Sequence, residues 1–176
     1  MASGGRKSVG VSRMPEHQPD IILVPAGRPS DGVHLRAVQD LWSEYWSSLG
    51  FAPDFQNFAE ELRSLPGEYA PPKGRLLLAL IGRNLAGTAA FRPMSETACE
   101  AKRLYVRPQY RGSGVAGIIL ARLMEEARAA GYEQMYGHTL ESMHSARQLY
   151  RRIGFVEVEP YYSDPEPEAI FLRLAL

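Results

Sequence analysis

Two hydrophobic periods alternate along this chain, and the switches between them mark its elements. Asp20-Ile-Ile-Leu-Val24 is a short apolar run stopped by the turn-prone stretch from Pro25 to Pro29, which predicts a strand. Leu35, Val38, Leu41, Trp42, Tyr45 and Trp46 then recur at helical spacing, with Ser30 or Asp31 as cap and Gly50 as stop. A second helix is expected from about Asp54 to Leu65, capped by Asp54, with Phe55, Phe58 and Leu62 inward and Pro66-Gly67 ending it.

After the loop Pro71-Pro72-Lys73-Gly74 the period falls to two. Arg75 to Ile81 and Leu85 to Phe91 read as a hairpin around Gly82-Arg83-Asn84. Glu100 to Val106 is a third strand of this run; strict alternation puts Glu100, Lys102, Leu104 and Val106 on one face and Ala101, Arg103 and Tyr105 on the other. Val115 to Ala130 is a helix ended by Gly131, Gln134 to Thr139 a strand, and Ser142 to Arg152 a helix ended by Gly154. Val156 to Tyr162 and Ala169 to Leu174 are strands around the Asp164-Pro-Glu-Pro167 loop. The order β-α-α-β-β-β-α-β-α-β-β predicts an α+β layout, a mixed sheet of about seven strands with helices packed on it.

Composition narrows the class. At 176 residues, 45% of them hydrophobic, the chain suits one domain with a substantial core, taken as residues 20–176 behind a disordered tail over 1–19. Twenty basic residues balance 20 acidic ones, so no net field favours nucleic acid or an anionic membrane as partner. One cysteine, Cys99, excludes an intramolecular disulfide and fits a reducing, cytoplasmic setting; it reads as a small buried hydrophobe. The four histidines are dispersed, with no HxxxH or HxH spacing, so no metal site is expected.

The chemistry concentrates at Arg111-Gly112-Ser113-Gly114-Val115-Ala116, between a strand and a helix start. Unpaired amides and a partial positive charge at a helix start seat phosphate oxygens; glycines allow close approach and Arg111 adds a cation. Gly112 to Gly117 also fits GxGxxG. A dinucleotide turn, however, follows a uniformly apolar strand at once, whereas here Arg107 to Arg111 intervene and the strand carries Glu100, Lys102 and Arg103. The phosphate logic stands without the dinucleotide assignment.

Leu104-Tyr-Val-Arg-Pro-Gln-Tyr-Arg-Gly-Ser-Gly-Val-Ala116, followed by Ala146-Arg-Gln-Leu-Tyr-Arg-Arg-Ile-Gly-Phe155, resembles the GNAT superfamily of acyl-CoA-dependent N-acetyltransferases. Arg111, Gly114 and Ala116 match its Q/R-x-x-G-x-G/A motif, and Ala146, Leu149, Tyr150, Gly154 and Phe155 its later signature. The resemblance implies a mixed, mostly antiparallel twisted sheet with helices on both faces, splayed between the fourth and fifth strands. It implies acetyl-CoA as cosubstrate, with the pyrophosphate held by backbone amides of Arg111, Gly112, Ser113, Gly114, Val115 and Ala116. The main chain of Leu104, Tyr105 and Val106 would pair with the pantetheine arm like an added strand, and one of their amides would face the oxyanion.

In the same way Tyr150 fills the position of a general acid for the departing thiolate, with core packing as its other role. Glu100 matches a glutamate that serves as general base, or else pairs with Arg103 or Lys102; ordered water is the alternative base. Relatives often carry an asparagine at the place of Met143, so that contact to the coenzyme arm is not implied here. His138 and His144 flank the site as possible shuttles, and Trp42, Tyr45, Trp46, Phe51, Phe55, Phe58, Tyr69, Tyr161 and Tyr162 mix core and acceptor-wall positions. The expected activity is acetyl transfer to a primary amine of a small molecule or protein, the alternative a non-catalytic acyl-CoA-binding regulator acting on a partner protein. A homodimer is also compatible with the resemblance.

Overall fold

A computed structural model describes residues 18–24, 31–50, 57–163 and 168–176. Its elements in chain order are β1 (Asp20–Leu23), α1 (Asp31–Leu49), α2 (Phe58–Arg63), β2 (Arg75–Ile81), β3 (Asn84–Pro93), β4 (Ala98–Val106), α3 (Val115–Ala129), β5 (Gln134–Leu140), α4 (His144–Ile153), β6 (Val156–Val158) and β7 (Ala169–Ala175). Short 3₁₀ turns cover Gly67–Tyr69 and Pro108–Tyr110. The seven strands form one sheet in the order β1-β2-β3-β4-β5-β7-β6. Every pairing is antiparallel except β4 with β5.

Two elements are shorter than the pattern suggests. The second helix is described only from Phe58, with Asn57 in a left-handed N-cap; the expected cap Asp54, together with Phe51 and Phe55, lies outside the described residues, as do Ser30 and the 164–167 loop. The strand starting at Val156 stops at Val158 rather than Tyr162, because Tyr161 and Tyr162 turn inward and pack edge-on against Phe171, each with its ring centroid 4.9 Å away.

Alternation within the strands divides the core into two. Leu77, Ala79, Ala89, Phe91, Cys99 and Met135 face α3, which contributes Val115, Ile119, Leu120, Leu123 and Ala127. Leu76, Leu78, Ala90 and Tyr105 face the opposite side, where Val38, Leu41, Trp42 and Trp46 of α1 meet Phe58 and Tyr69. Helices therefore cover both faces. Trp42 is fully buried and edge-on to Tyr69 at 5.2 Å. Trp42→Ala should cost about 3–5 kcal/mol of unfolding free energy, measured by urea titration.

The parallel pair does not run its full length. β4 meets β5 only at Ala98↔Gln134, Cys99↔Met135 and Glu100↔Tyr136; beyond these the strands part, and Ala101–Val106 has β3 alone as a sheet neighbour. This breach is the main positional fact of the fold.

Candidate active site

A bulge shapes the breach. Between Thr88↔Tyr105 and Ala90↔Lys102, two residues of β3 advance against three of β4, and Arg103 takes a left-handed φ of +59°. The extra residue resets the alternation. Leu104 and Val106 pack on the α3 side with Cys99 and Ala101, while Tyr105 packs on the α1 side. Glu100 joins that side, bonded to Arg92, which also binds Glu68 in the turn beside Tyr69. The strict alternation that grouped Glu100 and Lys102 with Leu104 and Val106 is thus corrected, and the bulge is the reason.

Arg103 is held hard at this point. Its guanidinium lies over Trp46 at 5.0 Å, Phe58 at 5.2 Å and Trp42 at 5.8 Å, and it is ion-paired to Glu61, which also accepts from the Tyr69 hydroxyl. Below the bulge, the Arg107 amide donates to Ala86 O across the β3 ladder at 2.9 Å. By strand alternation Tyr105 also turns its main chain toward β3, so Leu104 and Val106 turn theirs toward the breach. The Val106 carbonyl accepts from Arg111 Nε there, at 2.9 Å.

Arg111 itself spans this strand end and the helix start, its guanidinium 5.7 Å from the Tyr105 ring. Gly112 and Gly114 have φ of +73° and +86°, and a Cβ built on either meets nothing within 4 Å. Gly114 is the N-cap of α3 and brings no side chain to the first-turn amides. Ser113 Oγ donates backward, to Tyr110 O at 2.7 Å. These residues fit a pyrophosphate: open glycines, a 15-residue helix behind them and a cation alongside.

Between the parted strands runs a cleft lined by Tyr45, Lys102, Arg103 and His138 from the α1 side and by Leu120, Met143, Ala146 and Tyr150 from the other. Leu104 borders it as well. Tyr150 is set by α4, whose end is fixed by Gly154 at φ +106°, and its ring stands edge-on to Phe155 at 5.2 Å. Burial, and then Tyr45, push its pKa above the ordinary tyrosine value, so the hydroxyl keeps its proton at any neutral pH. Core packing and cleft lining coexist in this residue.

Glu100 is 2% exposed and held by four groups: Arg92 Nη2 at 3.0 Å, the Tyr161 hydroxyl donating at 3.1 Å, His138 Nδ1 at 3.7 Å and Lys102 Nζ at 3.9 Å. Burial would raise its pKa, but the neighbouring His138 ring and the charges of Lys102 and Arg92 outweigh that and hold it at about 2. A depressed carboxylate contributes stability above its unfolded pKa and loses it as pH falls toward the folded value. The Glu100 contribution, about 3 kcal/mol for a shift from 4.5 to about 2, should be complete at neutral pH and fade between those two values. Glu100→Gln should therefore lower unfolding free energy at neutral pH, and the deficit should shrink in urea titrations repeated at about pH 3.

Arg92 and Tyr161 are the Glu100 partners that sequence reasoning missed, whereas Lys102 was among those it offered. Register was the missing signal: folding β3 onto β4 through the 94–97 turn sets Arg92 opposite Glu100. His144 sits exposed at the start of α4, apart from the cleft, whereas His138 lies on its wall. Met143 precedes α4 and its Sδ accepts from Thr139 Oγ1 at 3.5 Å. Cys99 is fully buried and desolvation pushes its thiol up to about 12, as a small core residue requires. It should resist thiol reagents until the protein unfolds, a rate read directly by absorbance. Among the described residues no group of His, Cys, Asp and Glu is arranged to hold a metal, and no helix is long and apolar enough to cross a membrane.

A mixed sheet parted at its parallel pair, with a glycine-led helix aimed into the gap, defines a class of protein: the N-acyltransferase fold. Comparison with known proteins gives the family. Residues 35–155 match the Acetyltransferase (GNAT) family, and the chain belongs to it. It is 35% identical, over 77% of its length and 85% of the relative's, to an uncharacterized N-acetyltransferase of Schizosaccharomyces pombe. An IAA acetyltransferase of Azospirillum brasilense is 31% identical over 80% of this chain and 91% of its own. Among solved structures, an acetyltransferase from Streptococcus agalactiae superposes with a TM-score of 0.72 at 18% identity, covering 89% of this chain and 98% of its own. A GNAT acetyltransferase from Elizabethkingia anophelis with acetyl-CoA bound gives 0.64 at 20% identity, over 92% and 100%.

Proposed function

We propose that this protein transfers an acetyl group from acetyl-CoA directly to a primary amine of a small molecule or protein. The observation that carries the reading is the end of the β4–β5 ladder at Glu100↔Tyr136, which turns the amides of Leu104 and Val106 toward a cleft also lined by Tyr150. Acetyl-CoA would supply an activated acyl carbon and a thiolate leaving group. The amides of Gly112 to Ala116 bind its pyrophosphate, with Arg111 neutralising charge. Leu104 and Val106 pair with the pantetheine arm, Tyr105 bracing them from the other side of the strand, and one of their amides stabilises the developing oxyanion, an effect worth on the order of 3 kcal/mol in other enzymes.

Tyr150, protonated and directed into the cleft wall, donates to the departing sulfur. An acceptor amine is mostly ammonium at neutral pH (lysine reference pKa roughly 10.4), so a proton must first leave it. Glu100 receives that proton within the cluster, and His138, 3.7 Å away, relays it outward. With its pKa at about 2, Glu100 alone is a weak base, which makes the relay necessary.

Two measurements test the reading. In a thermal-shift comparison, acetyl-CoA and coenzyme A should raise the melting point while NAD and ATP leave it unchanged. Thiol release should then appear with a subset of a broad amine panel; coenzyme binding without turnover on any amine would overturn the catalytic reading.

A further inference from the structure

We infer that Lys102 is a self-acetylation site: with no acceptor in the cleft, its Nζ takes the acetyl group. The inference rests on the reading above, in which acetyl-CoA occupies the gap between β4 and β5. Lys102 stands one residue before the bulge at Arg103 and lines that gap together with Leu104 and Tyr150. Its side chain is 10% exposed, so its amine is directed into the protein rather than into solvent.

The choice of cation is itself informative. Lys7, Lys73 and Lys102 are the lysines of this chain, and the rest of its 20 basic side chains are arginines. A guanidinium does not shed its proton under ordinary conditions and cannot attack a carbonyl, whereas a desolvated amine can. Among the described residues Lys73 lies on the surface, which leaves Lys102 as the buried lysine, at the wall where the acyl carbon would lie.

Its surroundings favour the reactive form. Burial lowers the Lys102 pKa; Glu100 opposes this, Arg103 and Arg92 reinforce it, and Glu61 opposes it weakly. His138 and the Tyr161 hydroxyl, which also face Glu100, compete for the same carboxylate. The ion pair to Glu100 is long, 3.9 Å, so the ammonium is only loosely anchored.

In the step itself, the lone pair of neutral Nζ forms a bond to the acyl carbon and the carbon–sulfur bond breaks. The thiolate leaves with the electron pair and takes a proton from Tyr150, and the proton lost by Nζ restores Tyr150. The products are an Nζ-acetyl amide and coenzyme A. An amide is too stable to pass its acetyl onward, so this is a modification and not a turnover intermediate. It removes one of the two basic side chains paired with Glu100, leaving Arg92, and it places an acetyl group on the acceptor wall.

The test uses the purified full chain with acetyl-CoA and no acceptor. Acetylation is mapped by peptide mass spectrometry over time, and acetyl-CoA affinity is measured by calorimetry on the same preparation. The expected result is acetylation of Lys102 about tenfold or more faster than of exposed Lys73, because the cleft holds the two reactants together. Tyr150→Phe should slow labelling of Lys102 but not of Lys73. Lys102→Arg, or Lys102→Met if the arginine variant misfolds by circular dichroism, should bind acetyl-CoA and lack the fast label. Acetyl-CoA binding with Lys102 unmodified, or modified no faster than Lys73, overturns the proposal while leaving the functional reading intact. Absence of acetyl-CoA binding overturns both.

Discussion

Tyr150→Phe should reduce kcat by about 10²-fold while changing the dissociation constant for acetyl-CoA by less than about twofold. The substitution removes one oxygen and keeps the ring. Its contact with Phe155 and its place between α4 and the cleft are therefore retained, and stability should fall by no more than about 1 kcal/mol. A hydroxyl whose burial raises its pKa is reliably protonated, and donating that proton matters only once the carbon–sulfur bond is breaking. The effect must then appear in kcat and not in coenzyme binding. Single-turnover kinetics at saturating acetyl-CoA, with calorimetry alongside, separate the two. Equal losses of turnover and affinity would make Tyr150 a packing residue. An unchanged kcat would place the protonation elsewhere, and His138 across the cleft would be the next group to test.

The parts of this molecule that depend on local pattern were legible in the sequence. β2 matches its expected bounds, and β3, β4, β5, β7, α3 and α4 lie within a few residues of theirs, because burial on one face forces a period of two or 3.6. The glycine-led start of α3 and the tyrosine of α4 were readable for the same reason, since both are short-range motifs. What alternation could not reveal was the bulge at Arg103. Nothing adjacent in sequence demands a left-handed residue there; the aromatic seat of Trp42, Trp46 and Phe58 and the carboxylate of Glu61 hold it, from 42 to 61 residues away. A single extra residue inverts the parity of everything before it, and the face assigned to Glu100 was inverted with it.

The same non-locality hides the Glu100 cluster. Its members come from β3, β4, β5 and the segment after β6, and only the folded sheet brings Arg92, Lys102, His138 and Tyr161 around one carboxylate. Sequence spacing offered Arg103 or Lys102 as a partner of Glu100; the structure gives Lys102 to Glu100 and Arg103 to Glu61. This division has a mechanical sense. Arg103 anchors the bulge and so fixes where the Leu104 and Val106 amides point, while the carboxylate beside it stays within the cluster that lines the acceptor side.

Gly114→Trp should weaken acetyl-CoA binding by about 10²-fold or more while the protein remains folded. At φ +86° any L side chain is strained, which costs about 1–2 kcal/mol and a few degrees of melting temperature. A Cβ at this position meets nothing within 4 Å, so the indole has room to project, and the room it enters is the space in front of the first-turn amides of α3. Those amides are then screened from a phosphate by a bulky apolar group, and the favourable end of the helix dipole faces a ring rather than an anion. Gly131→Trp is the control. It stands at the opposite end of the same helix with φ +91° and equally open surroundings, so it carries the same backbone strain without touching the proposed seat. The two variants should lose similar stability in urea titrations, and only Gly114→Trp should lose the coenzyme by calorimetry. If both retain it, the diphosphate is not gripped by the start of α3; if both lose it equally, the loss reports destabilisation and not the seat.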